Sequence, residues 1–206
     1  IDVLMETGTG KTFTINTILK CIQYYKPDAS IYLFAPTGKA SKNMSEYTGM
    51  PAMTIHRGIG LGYDIEKAPT IEVNGDLLVV DETSMMDAYV CYRLLSAVTE
   101  NTRILFVGDY EQLPSVGPGL ILRDLIESGK IPTTKLTEIF RQAKDSQIVW
   151  NAHCILRGEF HKMTFDQKKG DFYFIGRNNR LDVQQTVIAC VERLLNNGYA
   201  LDDIQV

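Results

Sequence analysis

The stretch Gly8-Thr9-Gly10-Lys11-Thr12 decides how this chain is read. An apolar run, Ile1-Asp2-Val3-Leu4-Met5, leads into it, and Ile15, Ile18, Leu19, Ile22 and Tyr25 follow at helical spacing. Strand, glycine loop and helix together are the setting of a phosphate-binding loop. Glycines let successive backbone N–H groups converge on polyphosphate oxygens with no Cβ in the way. The helix adds its positive dipole end to the same anion. Gly8, Thr9 and Gly10 would cradle the phosphates of ATP, Lys11 would reach the β- and γ-phosphates, and the Thr12 hydroxyl would ligate Mg²⁺. A glycine turn with a chance lysine is the plainer alternative, and the context on both sides disfavours it. The full pattern has glycine at position 5, where this chain has Met5 followed by Glu6. A carboxylate ~8 Å from a phosphate charge costs about 2 kcal/mol at an effective dielectric near 20, so Glu6 is expected to point away.

Outward from this loop, apolar runs alternate with helical patterns. Ile31-Tyr32-Leu33-Phe34-Ala35, Leu77-Leu78-Val79-Val80 and Ile104-Leu105-Phe106-Val107 read as buried strands, with helical patterns near 38–48, 87–98 and 120–128. Continuous apolar strands between helices predict an α/β fold, a parallel sheet covered by helices on both faces. Active sites in such folds gather at the carboxyl ends of the strands. Asp81-Glu82-Thr83-Ser84-Met85 follows one such strand. In a nucleoside triphosphatase Asp81 would hold Mg²⁺, and Glu82 would orient and deprotonate the attacking water. The rival, a solvated acidic turn before the helix from Asp87, loses weight beside the phosphate loop. Gly108-Asp109-Tyr110-Glu111-Gln112-Leu113-Pro114-Ser115-Val116-Gly117-Pro118-Gly119 follows the next strand. The Gln112 amide can both donate and accept without changing charge, which suits a sensor of the γ-phosphate. The alternative is a Pro/Gly-rich surface loop.

Composition sets the outer limits. The chain has 206 residues, 45% of them hydrophobic, enough for one good core and part of a second. No apolar run reaches transmembrane length and no secretory signal opens the chain, so no membrane partner is expected. The first residue already lies in the first strand, which reads as a fragment of a longer protein. Cys21, Cys91, Cys154 and Cys190 are scattered without a CxxC pair, as expected of reduced thiols in a cytoplasmic protein. His153, Cys154 and His161 match no common zinc spacing. A net charge of −4 excludes a bulk polycation, so any nucleic acid must be held by a local groove.

At Gly-Asp-Tyr-Glu-Gln-Leu-Pro-Ser-Val (108–116), with Asp-Glu-Thr-Ser-Met upstream, a family resemblance becomes specific. The chain resembles the RecD family of superfamily 1 DNA helicases, related to the exonuclease V alpha subunit. Ala35-Pro36-Thr37-Gly38-Lys39-Ala40 with Thr54-Ile55-His56-Arg57, Leu136-Thr137-Glu138-Ile139-Phe140-Arg141-Gln142, and the run from Ser146 through His153 agree with it in order. The resemblance covers most of residues 1–160. It implies a RecA-like P-loop ATPase fold in which Gln112 couples nucleotide state to DNA grip. Arg141 would act as an arginine finger on the γ-phosphate, where its guanidinium fork suits spread charge. Phe140 would stack on adenine or serve as a core residue. Thr37, Gly38, Lys39, Thr54, His56 and Arg57 fall where the family touches single-stranded DNA, and hydroxyls, N–H groups and a few cations suit sequence-independent phosphate contact. Met5 and Glu6 depart from the family's glycines and match superfamily 2 motors instead, whereas Gly-Asp-x-x-Gln-Leu-Pro does not belong to that group.

Between Gly62 and Gly75 the alternation Thr70-Ile71-Glu72-Val73 precedes Asn74-Gly75. The resemblance suggests a small β-hairpin wedge here; a plain surface loop is the alternative. Past residue 150 the character changes: 148–156 and 181–196 read as helices, while 172–175 and 204–206 read as short strands. The sequence therefore predicts a first RecA-like motor domain over 1–150 and the incomplete start of a second α/β motor domain over 151–206. The function it implies is that of an ATP-dependent DNA helicase motor moving 5′→3′ in DNA repair or recombination, with single-stranded DNA and other helicase–nuclease subunits as partners. Two alternatives stand beside it: a superfamily 2-like restriction motor, and a nucleotide-dependent DNA-binding module without independent hydrolysis.

Overall fold

The structure, a computed structural model, describes the strand 2–5 and residues 10–62, 69–136, 146–165 and 170–206. It divides into two compact units, Ile1–Lys144 and Asp145–Val206.

The first unit is built on six parallel strands among the described residues: β1 (Asp2–Met5), β2 (Ile31–Ala35), β3 (Met53–Thr54), β4 (Leu77–Val80), β5 (Arg103–Gly108) and β6 (Thr133–Lys135). They lie in the order β3-β2-β4-β5-β1-β6. The helices are α1 (Lys11–Tyr25), α2 (Gly38–Thr48), the single turn α3 (Ile55–Gly58), α4 (Ala88–Ala97) and α5 (Ile121–Glu127).

The period-2 geometry of the strands sorts the apolar runs onto two faces. Phe34, Leu78, Val80, Ile104 and Phe106 point to one side, where they meet Ile55, Cys91, Leu94 and Leu122 of α3, α4 and α5. Leu33, Leu77, Val79, Leu105 and Val107 point to the other, against Ile15 and Leu19 of α1 and Met44 of α2. This division follows from right-handed crossovers. Connections that step toward β3 place their helices on one face, and those that step toward β6 place theirs on the opposite face. The connections leaving β1 and β5, which are neighbours, run in opposite directions, so a crevice opens between their carboxyl ends.

Among the described residues of the first unit, three helix starts are fixed by side-chain caps. Thr37 accepts from the Ala40 N–H at 3.2 Å, Thr54 from Arg57 at 3.3 Å and Asp87 from Val90 at 2.8 Å.

Several expectations change on contact with the fold. β3 and β6 carry no apolar run of their own, and the flank of β1 and β2 recruits them as short edge strands. Of the expected hairpin, 63–68 lies outside the described residues. The described remainder, 69–75, forms no hairpin ladder: Thr70 and Ile71 both donate to the Ile59 carbonyl, at 3.1 and 3.2 Å, and the buried Val73 makes a parallel bridge to Val98. Burying Val73 outweighs the alternation around it.

The second unit contains α6 (Gln147–Leu156) and α7 (Arg180–Asn196), with 3₁₀ turns at Phe160–Lys162 and Leu201–Asp203. The Asp171 carboxylate caps α6, accepting from the Ser146 hydroxyl at 2.5 Å and the Gln147 N–H at 2.7 Å. Buried Asn151 exchanges two 2.8 Å hydrogen bonds with the Thr164 backbone. The strands expected at 172–175 and 204–206 do not form. A strand needs a ladder partner for its N–H and C=O groups, and no described residue of this unit supplies one.

Phe106 belongs to the larger core cluster and is 1% exposed. Phe106→Ala should lower unfolding stability by about 3–5 kcal/mol, whereas Tyr25→Ala, at a largely exposed position, should stay within about 0.5 kcal/mol. Urea denaturation followed by circular dichroism would check both.

Candidate nucleotide and nucleic-acid site

The described strands of the first unit are all parallel, so the segments that begin past β1, β2, β3, β4 and β5 emerge at one edge of the sheet. At the end of β1, Gly10 caps α1 with φ 88°, a left-handed conformation that a Cβ would strain. Lys11 opens the helix and Thr12 follows in its first turn.

Asp81 and Glu82 leave the end of β4. The Asp81 carboxylate is held at both oxygens: Oδ1 accepts from the Glu82 N–H at 2.8 Å and Oδ2 from the Tyr47 hydroxyl at 2.8 Å. Burial first, and then the Asp81 charge, push the Tyr47 phenol well above its ordinary range, so it stays a donor.

Glu82 has φ 51°, and it is the only non-glycine residue at positive φ among those described. Such a conformation costs about 1–3 kcal/mol and persists only where the surroundings enforce it. The surroundings here are tight. A Cβ on Gly108, at the end of β5, would lie 3.1 Å from the Thr83 nitrogen and 3.2 Å from that of Ser84. The buried Thr83 hydroxyl donates to the Val80 carbonyl at 2.9 Å. Burial raises the Glu82 pKa most; Asp81 and Asp109 raise it further, while the Lys11 charge opposes them. Lys11 is therefore close enough to Glu82 to act on it electrostatically. Glu82 Oε2 is buried without a hydrogen-bond partner among the described residues.

Gln112 sits on the loop after β5, which Asp109 shapes: its Oδ1 accepts from the Glu111 N–H at 3.0 Å and its carbonyl from Gln112 at 3.3 Å. The loop is tied to α4 by Ala88 N–H to the Pro118 carbonyl at 2.8 Å. Gln112, Leu113 and Val116 line an apolar groove of about 660 Å³ together with Pro36, His56 and Met85.

The residues expected at DNA come together on neighbouring strand ends. Ala35 of β2 pairs with Thr54 of β3, which sets 37–39 beside 54–57. Gly38, Lys39, His56 and Arg57 are exposed, while the Thr37 and Thr54 hydroxyls cap α2 and α3. Glu6, Gly8, Thr9, Phe140 and Arg141 lie outside the described residues. Sequence reasoning gave no role to Asp109 or Tyr47. Asp109 was in plain view inside its motif, but the Tyr47 contact spans 34 positions and has no local signature.

With this geometry in place, comparison with known proteins identifies the family. Residues 3–118, more than half of the chain, match the family described as AAA domain. The chain belongs to that family. The chain is also similar to named RecD-type helicases and helicase subunits. It is 40% identical to the ATP-dependent RecD2 DNA helicase of Deinococcus radiodurans, over 74% of this chain and 21% of that protein. It is 37% identical to the RecBCD enzyme subunit RecD of Mycolicibacterium smegmatis, over 58% of this chain and 26% of that one. The chain thus spans about a quarter or less of the length of these two relatives. The crystal structure of the Pif1 helicase from Candida albicans aligns with a TM-score of 0.52 at 22% identity, over 76% of this chain and 40% of that one, which shows a RecA-like motor fold. Family membership makes this a nucleotide-binding domain. No described helix is long and apolar enough to cross a membrane.

The electrostatics of Glu82 set a pH dependence. A carboxyl whose folded pKa lies above its ordinary 4.5 binds protons better folded than unfolded. Its contribution to stability is then present below 4.5 and is lost as pH rises through the raised folded value. Glu82→Gln removes that loss. The variant should match the parent chain near pH 4 and exceed it in urea midpoint by an increasing margin toward neutral pH. Parallel urea titrations across that range would check it.

Proposed function

We propose that the chain is the ATP-binding motor segment of a DNA helicase, hydrolysing ATP with Mg²⁺ and holding single-stranded DNA on the same sheet edge. The observation that carries this reading is the convergence of Lys11, the Asp81–Glu82 pair and Gln112 at one edge, with Lys11 acting on Glu82.

In this reading the N–H groups of Gly8, Thr9 and Gly10 and the Lys11 ammonium bind the phosphates. The donor set suits a small hard cation: one hydroxyl, Thr12, and one carboxylate, Asp81, pre-oriented at both oxygens, leave the remaining positions to water and phosphate. When bound there, Mg²⁺ would neutralise charge developing on the phosphate oxygens. Glu82 orients the attacking water and takes its proton, and its raised pKa brings it nearer to a general base at neutral pH. Gln112 reports the γ-phosphate to the groove it shares with Pro36 and His56. Arg141 supplies the arginine finger and Phe140 stacks on adenine. Thr37, Gly38, Lys39, Thr54, His56 and Arg57 contact DNA phosphates. Residues 151–206 begin a second motor domain that completes the enzyme. Movement 5′→3′, work in repair or recombination, a cytoplasmic location and association with helicase–nuclease subunits are carried over from the RecD-like relationship.

Lys11→Ala should weaken ATP–Mg²⁺ binding roughly 10- to 100-fold, the worth of a charge-assisted contact, while Glu82→Gln keeps the affinity and loses turnover. Equal calorimetric affinities for the Lys11→Ala and parent chains would remove the phosphate-loop assignment.

On DNA, two or three phosphate contacts give a log–log salt slope of about −1.5 to −2 on a single strand, and Lys39→Ala should flatten it by roughly 0.7. Titrations of labelled oligo-dT at several salt concentrations measure the slope. A preference for duplex, or an unchanged slope in the variant, counts against the groove.

A further inference from the structure

Tyr47 lies in the last turn of α2, packed against the cluster of Ile15, Leu19 and Met44. Two separate parts of the site meet at this one residue, and its own helix leads to a third. Its hydroxyl donates to Asp81 Oδ2 at 2.8 Å. Its backbone carbonyl accepts from the Asn16 side chain, on the helix that Lys11 opens, at 3.1 Å. Its own helix begins at 38 and 39, eight residues and about 12 Å of helical rise away from the lysine there.

A carboxylate that terminates a strand can rotate about χ2, and a metal ligand must not. The Glu82 N–H fixes Oδ1, but that bond is local and swings with the strained turn at Glu82. The Tyr47 hydroxyl is the second anchor and comes from a different element, so the two together define the plane of the carboxylate. Each oxygen keeps a second lone pair for a cation.

We propose that Tyr47 is a positioning residue: its hydroxyl sets the Asp81 carboxylate for the metal–nucleotide complex, and α2 links that setting to DNA contact at 37–39. The proposal rests on the nucleotide and DNA reading above. It predicts that a ligand pulling on the start of α2 shifts the hydroxyl at its other end, and that metal binding reports back through the same bond, since coupling between two sites is reciprocal.

Tyr47→Phe keeps the ring and its packing and removes only the oxygen. Calorimetry of the 206-residue chain with ATP would be run in Mg²⁺, in EDTA, and in Mg²⁺ with saturating oligo-dT, alongside direct Mn²⁺ titration by electron paramagnetic resonance. The gain in ATP affinity on adding Mg²⁺ should fall about three- to tenfold, the range of one net hydrogen bond. Affinity in EDTA should stay unchanged, the thermal midpoint of the free chain should fall by only about 2–4 °C for the one hydrogen bond lost, and the factor by which oligo-dT alters Mg²⁺–ATP affinity should collapse toward one. Losses of equal size in Mg²⁺ and EDTA would mean Tyr47 is only a packing residue. Equal Mg²⁺ dependence in both chains overturns the Asp81 role, and an oligo-dT factor of one in the parent overturns the α2 link. A parent chain that binds no ATP–Mg²⁺ removes the functional reading itself, an outcome distinct from each of these.

Discussion

The constraint on which the rest depends is that β4 and β5 are buried on both faces. Leu77 through Val80 and Ile104 through Val107 carry no polar side chain, and helices cover them above and below. No charged group can enter the layer between them without losing its water. The polar chemistry of the first unit is therefore displaced to the strand ends, and parallel pairing sends the carboxyl ends of all six strands to one edge. The crowding of Asp81, Glu82 and Asp109 with Lys11 follows from that displacement. Burial first, and then the charges of Asp81 and Asp109, raise the proton affinity of Glu82, and the lysine is the opposing charge.

What could be read in the sequence was what physical chemistry keeps local. A run such as Leu77-Leu78-Val79-Val80 specifies a doubly covered strand by itself, and a glycine turn before Lys11 specifies a helix start by itself. What escaped was set by distant partners. Thr133-Thr134-Lys135 is polar and becomes a strand only because β1 offers an unpaired edge. Residues 172–175 have strand composition without a ladder. Val73 looks like one tooth of a hairpin alternation, yet its burial against Val98 decides its conformation. In the candidate site, the placement of Lys11, Asp81, Glu82 and Gln112 just past strand ends could be read from motif spacing. Tyr47 was not, because a tyrosine near the end of an amphipathic helix looks like any core-edge aromatic.

The strained backbone at Glu82 and the close approach of Gly108 belong to one arrangement. Pulling the end of β5 against the acidic turn leaves Glu82 no room to relax into an ordinary turn, and its carboxyl is held in a half-buried position. The backbone strain, and the burial that raises the proton affinity of this residue and leaves Oε2 without a partner among the described residues, thus share one packing cause.

The threonine caps of α2 and α3 have a consequence of their own. A hydroxyl carries one proton and two lone pairs. In Thr37 and Thr54 the inward lone pair is taken by a backbone N–H, so the oxygen is fixed in place while its proton remains to be directed outward. Two such oxygens lie just past or at the ends of the paired strands β2 and β3, and each still has a proton to donate. Phosphodiester oxygens can only receive protons and recur identically along a strand, whatever bases are attached. Base edges mix donors with acceptors and change from one position to the next. On the DNA-binding function proposed above, a surface that offers such protons would grip the repeating part of a polymer and be indifferent to its varying part, so that a ligand could advance along it by one repeat and meet the same fit again.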